Sequence, residues 1–93
     1  MKAHELLADR SKWTQGCSAR NRFEGFVPPS SSDAVSWCAI GALARCYGPT
    51  WTIEVYPKVQ EVLAKLYPGK CLDEVNDRKG YKAVMRVLRE ADV

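Results

Sequence analysis

The fold of this 93-residue chain is decided by the stretch Trp37-Cys38-Ala39-Ile40-Gly41-Ala42-Leu43-Ala44. Its residues are almost all apolar and mostly small, and either Ser30 or Ser32, in the preceding Ser30-Ser31-Ser32-Asp33, is predicted to be the N-cap. Gly48-Pro49 is a helix-stop signal. The pattern predicts a helix over 34–47 that is buried on nearly every side. Gly41 costs about 1 kcal/mol relative to Ala inside a helix, which indicates close approach of another backbone.

Length and charge restrict the class of protein. A chain of 93 residues predicts one domain, residues 1–93. The net charge of +3 permits an acidic partner without requiring one. The N-terminal residues lack the apolar core of a signal peptide, and no apolar run approaches the length of a membrane span. We therefore expect a cytoplasmic protein with no membrane contact.

Periodicity predicts three further helices. They cover 3–13, which Gly16 would end with a left-handed cap, 57–66, and a last helix that opens after Asn76-Asp77. The inner face of the last helix is predicted to be Tyr81, Val84, Met85, Leu88 and Ala91. Residues 51–56 fit either a strand or a helix. The expected fold is all-α, a bundle of about four helices around the buried central helix.

One long irregular segment, residues 17–32, interrupts this pattern. Pro28-Pro29 excludes a helix there, and a short hairpin around Glu24-Gly25 fits the sequence. Loops of this length in a small domain are often functional. We expect the apolar side chains of the segment to fold back onto the core. These are Phe23, Phe26 and Val27.

The four cysteines Cys17, Cys38, Cys46 and Cys71 have no C-x-x-C spacing. On one helix, Cys38 and Cys46 would be about 12 Å apart, too far for a disulfide or a shared zinc ion. We therefore predict reduced cysteines that behave as small buried hydrophobes, with no metal and no cofactor. A site that joins either of these two with Cys17 and Cys71 stays open as an alternative.

The order of the short motifs resembles a family of small bacterial and phage proteins that is catalogued only as a domain of unknown function. The motifs are Trp13-x-Gln15-Gly16, Ala19-Arg20, Ala34-x-x-Trp37-Cys38-x-x-Gly41-Ala42, Asn76-Asp77 and Leu88-x-x-Ala91. The resemblance covers nearly the whole chain and implies a small, mostly helical, cytoplasmic protein without a known activity. Val75 stands where the family pattern often has Trp, so a stacking role is not carried over to that position.

Cys38 is the candidate nucleophile, and a cysteine-dependent hydrolase is one hypothesis. A thiol near a helix N-terminus is activated by the dipole. Cys38 would lie at the fifth or sixth helix position, however, where that effect has faded. Its neighbours are apolar, which raises a thiol pKa, and the only histidine, His4, falls on the polar side of the first helix. We expect Cys38 to be a core residue.

The candidate binding residues lie around the loop. They are Trp13, Gln15, Arg20, Arg22, Phe23, Asn76 and Asp77. Asn76 and Asp77 are also favoured N-caps for the last helix. Gln15 could accept the hydrogen bond that a buried Trp13 indole must donate. Arg20 either holds the loop through backbone carbonyls or faces an anionic ligand together with Arg22.

The last helix carries a basic stripe, Lys79, Lys82, Arg86 and Arg89. Such a stripe is usually a solvated face, and weak DNA or RNA binding through it is a further hypothesis. The function we favour is that of a small non-enzymatic bacterial or phage accessory protein that binds another macromolecule. The expected partner is a host protein, and the loop would present the binding residues.

Overall fold

The computed structural model of the protein describes residues 1–93 and is predominantly helical. Its helices are α1 (Ala3–Leu6), α2 (Ala39–Tyr47), α3 (Trp51–Glu54), α4 (Tyr56–Leu66), α5 (Leu72–Glu74) and α6 (Tyr81–Ala91). Two short 3-10 segments cover Arg10–Lys12 and Gly48–Thr50, and a π-helical turn covers Val75–Lys79. Two short strands, β1 (Ala19–Arg20) and β2 (Ser36–Trp37), complete the fold. Residues 51–56, which the sequence leaves undecided, are helical except for Val55, a turn between α3 and α4.

The two longest helices, α4 and α6, pack against each other and contribute a large share of the side chains of the core. Val84, Met85, Leu88 and Ala91 are buried on α6, and Tyr81 is half-buried, so the predicted inner face is confirmed. The α4 side of this core is formed by Val59, Val62 and Leu63. The small α1 contacts both α2 and α6 and closes one end.

The two-stranded sheet is the part of the fold that an all-α prediction lacks. β1 and β2 pair antiparallel, with Ala19 opposite Trp37 and Arg20 opposite Ser36. The Cys38 N–H continues the ladder by donating to the Ser18 carbonyl at 3.1 Å. Strands of two residues are too short to produce a period-2 pattern. The predicted all-α fold class is therefore correct for the helices and wrong for the four residues of β1 and β2.

The predicted helix over 3–13 is wrong beyond Leu6. The Asp9 carboxylate accepts hydrogen bonds from the backbone N–H and the hydroxyl of Ser11, which starts a separate 3-10 turn. Trp13 then has an extended backbone and forms a parallel bridge with Trp37. Pairing with β2 therefore overrides the helical propensity of this segment. Gly16 has a φ of 82°, as expected of a left-handed residue, but it lies in a loop and caps no helix.

The predicted helix over 34–47 begins five residues later than expected. Ser36 and Trp37 belong to β2, and Cys38 is the N-cap of α2 in place of either serine. The Cys38 Sγ accepts a hydrogen bond from the Gly41 N–H at 3.2 Å. Burial of α2 is confirmed, because Arg45 is its only exposed residue.

The predicted capping of the last helix by Asn76-Asp77 is also wrong. Both residues lie in the π-helical turn, and Gly80, with a φ of 94°, separates that turn from the first residue of α6. The break leaves Lys79 outside the helix that carries the rest of the basic stripe. Single π-helical turns are rare and often occur at functional sites.

Gly41 allows the loop to lie directly on the first turn of α2. A Cβ atom at this position would be 1.9 Å from the Ser18 carbonyl oxygen, a distance that no real contact reaches. The predicted close approach of another backbone is therefore confirmed, although the approaching segment is the loop before β1. No helix of the protein is both long enough and apolar enough to cross a membrane.

The first prediction concerns Gly41→Ala. In an unconstrained helix interior this substitution stabilises a protein by about 1 kcal/mol. Here we expect the free energy of unfolding to fall by about 1–3 kcal/mol, because the methyl group must displace the Ser18 backbone. Chemical denaturation of the two proteins measures the difference. A rise in stability would show that the loop does not lie on α2 as described.

Candidate functional site

The side chain of Asn76 joins three distant parts of the chain. Its Oδ1 accepts hydrogen bonds from the Trp13 indole Nε1 at 2.8 Å and from the Ala39 backbone N–H at 2.9 Å. Its Nδ2 donates to the Thr14 carbonyl at 3.1 Å and to the Asp77 carboxylate at 3.0 Å. An amide side chain has two donor hydrogens and two acceptor lone pairs. All four are used.

Burial makes these bonds important for stability. Asn76 is 1% exposed, so its amide cannot form hydrogen bonds with water. Each hydrogen bond within the protein therefore compensates for a bond to water that is lost on burial. The amide cannot be turned over, since the Trp13 indole and the Ala39 N–H can only donate. Ala39 is the first residue of α2, and its N–H has no partner within the helix. Asn76 therefore caps α2 from another element, in place of the last helix that the sequence predicts it to cap.

The turn after Trp13 also lies on the Asn76-Asp77 segment. The Gln15 side-chain amide donates to the Asn76 carbonyl at 2.9 Å and to the Asp77 carbonyl at 3.2 Å. The Asp77 carboxylate accepts from the Gly16 N–H at 3.3 Å. The acceptor of the Trp13 indole is thus Asn76 and not Gln15. The family-like motifs Trp13-x-Gln15-Gly16 and Asn76-Asp77 meet in one cluster.

Arg20 holds the loop together from β1. Its guanidinium donates to the Thr14 hydroxyl at 2.9 Å and to the carbonyls of Gln15 and Glu24, both at 3.1 Å. It also lies 5.0 Å from the centre of the Phe26 ring. These bonds to backbone carbonyls are the ones expected if Arg20 holds the loop in place. The planar face of the guanidinium remains directed toward Phe26.

Residues 20–26 form the short hairpin that the sequence suggests around Glu24-Gly25, with a bridge between Arg20 and Phe26. The Asn21 Oδ1 accepts from the N–H groups of Phe23 and Gly25, both at 2.9 Å. Glu24 takes a left-handed backbone conformation with a φ of 65°. These bonds give the tip of the hairpin, Arg22-Phe23-Glu24, one defined conformation.

The aromatic side chains of the hairpin point away from the core. Phe23 is 76% exposed and Phe26 is 72% exposed, so the expectation that they fold back is wrong, although Val27 does pack on the core. The Arg22 guanidinium lies 4.7 Å from the centre of the Phe23 ring. Val35 is a third exposed apolar residue of this part of the chain. We call the exposed residues Arg22, Phe23, Phe26 and Val35 the loop face.

Phe26 and Val35 are absent from the sequence-based candidates. A signal for Phe26 exists, since the hairpin register around Glu24-Gly25 places it across from the polar Arg20.

The second half of the loop is fastened to α2. The Arg45 guanidinium donates to the carbonyls of Pro29 and Ser31, at 3.1 Å and 2.9 Å, and the Trp37 indole donates to the Pro29 carbonyl at 2.9 Å.

Cys38 lies beside a cleft of about 280 Å³ near the start of α2. The cleft is lined by Gly16, Cys17, Ser18, Cys38, Ile40, Asp73, Asn76 and Asp77. As the N-cap, the Cys38 thiol is nearer the positive end of the helix than the sequence predicts. Burial nevertheless raises its pKa, against the opposing effect of the Gly41 and Ile40 N–H groups. The raised pKa agrees with the expected apolar environment and leaves little thiolate at neutral pH.

The other three cysteines differ from Cys38 in their exposure. All four are free thiols: Cys17 and Cys46 are half-buried, and Cys71 is exposed, so the expectation of four buried cysteines is wrong for Cys71. No three His, Cys, Asp or Glu side chains are placed to hold a metal ion. The Cys71 Sγ lies 3.2 Å from a Glu74 carboxylate oxygen.

The basic residues of α6 share one exposed face. Lys82, Arg86 and Arg89 border a groove of about 350 Å³ whose other lining residues are Tyr81, Met85 and Glu90. Arg86 is paired with Glu90 at 3.4 Å. Lys79 is exposed but does not line the groove. The structure therefore separates the candidate residues into a hydrogen-bonded cluster around Asn76, the loop face, and the basic face of α6.

The Asn76 cluster can perform little chemistry, because its hydrogen-bonding groups are already paired within the protein. Every donor and acceptor of the Asn76 amide is engaged within the protein, so none remains to bind a ligand or to orient a catalytic base. The bonds of Trp13, Gln15 and Arg20 likewise end on protein atoms. The cluster positions the loop, whereas Arg22 and Phe23 remain free to contact another molecule.

The second prediction is that Asn76→Ala lowers the free energy of unfolding by about 3 kcal/mol or more. The substitution leaves the Trp13 indole, the Ala39 N–H and the Thr14 carbonyl without partners, and each unsatisfied buried group costs about 1–3 kcal/mol. Chemical denaturation measures the change. Gln60→Ala, on the exposed surface of α4, is the matched control and should change stability by less than about 0.5 kcal/mol. Equal effects of the two substitutions would contradict the role of Asn76.

The third prediction concerns thiol reactivity. In the native protein at neutral pH, we expect a maleimide to modify the exposed Cys71 and to leave Cys38 unmodified until denaturant is added. Burial blocks access to Cys38 and raises its pKa, whereas Cys71 is accessible, although a side-chain hydrogen bond with Asp73 raises its pKa too. Peptide mass mapping identifies the modified residue. Labelling of Cys38 at the rate of Cys71 would revive the hydrolase hypothesis.

Comparison with known proteins bears out the resemblance drawn from the motifs. The model of a family described as a family of unknown function, DUF6197, matches residues 1–92. No match was found among curated proteins or among solved structures. The matched region includes the residues of the Asn76 cluster, the loop face and all of α6. The chain belongs to this family, DUF6197.

Proposed function

We propose that the protein is a non-enzymatic binding protein whose loop face contacts another protein. The observation that carries the proposal is the exposure of Phe23 and Phe26, at 76% and 72%, on a loop that is otherwise fully tied down. The hairpin thus leaves two large apolar side chains in water, and exposed apolar surface is a feature of interaction sites.

The rigidity of the loop supports binding. Its first half is held by Arg20 and Asn21, and its second half by Arg45 and the Trp37 indole. A surface that is ordered before binding loses less conformational entropy when the complex forms. The loop face is therefore a preorganised surface and not a flexible segment.

The composition of the loop face supports a protein partner. Energetically dominant residues at protein interfaces are enriched in aromatic residues and arginine. Here Arg22 lies over the Phe23 ring and Arg20 over the Phe26 ring. Beside them is a depression of about 380 Å³, which is lined by Asn21, Arg22, Phe23, Ser32, Asp33 and Val35. A partner side chain of moderate size would fit this depression.

In this proposal the sequence-based candidates divide into two roles. Arg22 and Phe23 contact the partner, together with Phe26 and Val35. Trp13, Gln15, Arg20, Asn76 and Asp77 support the loop from behind. A bacterial or phage accessory protein that acts on a host protein in the cytoplasm remains the biological setting we propose. The raised pKa of Cys38 and the lack of a histidine among the residues that line the cleft beside it favour binding over hydrolysis.

The fourth prediction tests the loop face with a matched pair of variants. Phe23→Ala removes an exposed aromatic ring from the loop face, and Ile53→Ala removes an equally exposed apolar side chain, at 78%, from α3. Neither should change the free energy of unfolding by more than about 0.5 kcal/mol. We expect Phe23→Ala to weaken binding to the partner at least about tenfold, or about 1.4 kcal/mol, and Ile53→Ala to leave it unchanged.

The measurement is quantitative affinity capture from bacterial lysate with immobilised wild-type and variant proteins, followed by titration of the captured protein. The proposal requires a protein that is enriched by the wild type and by Ile53→Ala and lost with Phe23→Ala. Capture that is insensitive to Phe23, or no specific capture at all, would contradict it.

A further inference from the structure

We infer that the basic face of α6 is a second binding site, which takes the phosphodiester backbone of a nucleic acid. This inference does not rest on the loop face or on its partner. It starts from three cations on one side of one straight helix, Lys82, Arg86 and Arg89, which are all exposed. Their spacing of four and three residues places them in one row about 10 Å long.

The charge of this row is mostly uncompensated. The only carboxylate within ion-pair distance of the three side chains is Glu90, which pairs with Arg86 at 3.4 Å. Lys82 and Arg89 have no acidic partner. Arg10 adds a fourth cation at the Tyr81 end of the groove, where its guanidinium lies 5.2 Å from the centre of the Tyr81 ring. The regularly spaced phosphates of a nucleic acid backbone are anions that such a row of cations can neutralise.

The lack of an exposed large hydrophobic side chain on this face favours a nucleic acid over a protein partner. The exposed large hydrophobic residues of the chain are Met1, Phe23, Phe26, Val35 and Ile53, and none lies on α6. The floor of the groove contains Met85, which is only 3% exposed, and Tyr81, whose hydroxyl donates to the carbonyls of Leu7 and Ala8. A protein partner would find no exposed large apolar side chain to use as an anchor here, whereas phosphate contacts need only accessible charge.

The contacts predict a weak, salt-dependent interaction with little sequence preference. Neutralising two or three phosphates of duplex DNA gives a slope of log K against log salt concentration of about −2 to −3. Each cation removed should make this slope shallower by about 1. The pairing of Arg86 with Glu90 makes a further prediction, because Glu90→Gln removes the competing carboxylate and should strengthen binding.

The fifth prediction is tested by fluorescence anisotropy of a labelled duplex DNA of about two helical turns, with a single-stranded RNA as a second arm, between about 50 and 200 mM salt. We expect Lys82→Ala/Arg89→Ala to bring the slope to between about 0 and about −1, and Glu90→Gln to increase affinity. Lys58→Ala/Lys65→Ala, on the exposed side of α4, removes the same charge and should keep the wild-type slope. All four side chains are exposed, so the variants should fold; thermal unfolding checks this.

Binding of either nucleic acid with these variant effects supports the inference, and the two arms show which backbone is preferred. Three results would overturn it: no binding at about 50 mM salt, equal losses in the α6 and α4 double variants, or competition by polyglutamate of matched charge as effective as that by DNA. The last result would assign the face to an acidic polypeptide.

Discussion

The four hydrogen bonds of the Asn76 amide connect the segments on which the rest of the structure depends. They tie the turn after Trp13, the first residue of α2 and the π-helical turn to one buried side chain. The loop that follows Trp13 then crosses the start of α2, where Gly41 leaves room for the Ser18 carbonyl. Both contacts place a polar backbone segment against a helix without leaving a buried group unsatisfied. No buried side-chain nitrogen or oxygen of the protein lacks a partner.

This arrangement relates the fold to the proposed function. Asn76, Arg20 and Arg45 hold the loop at its base and along both halves, while Asn21 shapes the hairpin tip. Side chains that hold the loop direct their polar groups inward, and Phe23 and Phe26 are left outside. The proposed binding surface is therefore a consequence of how the loop is anchored. The basic face of α6 lies on a different element and depends on helix periodicity alone.

Sequence patterns predict those parts of the structure that depend on local spacing. The inner face of α6, the extent of α4 and the tight approach at Gly41 follow from periodicity and residue size, and all three are present. The residues at which α2 begins and α1 ends cannot be predicted from local spacing, because pairing between the Trp13 and Trp37 segments overrides local helix propensity. Asn76 has the composition of an N-cap, but its partners Trp13 and Ala39 are 63 and 37 residues away, so no local pattern reveals them. Phe23 and Phe26 are apolar and would ordinarily be assigned to the core.

The most direct test of the central role of Asn76 is hydrogen exchange by NMR in the unaltered protein. The N–H of the first residue of a helix normally exchanges quickly, because it has no partner within the helix. If the Ala39 N–H donates to a buried Asn76, its protection should approach that of the core amides of α6, and the Trp13 indole N–H should exchange as slowly. Rapid exchange at Ala39 and at the Trp13 indole, with α6 still protected, would contradict the account.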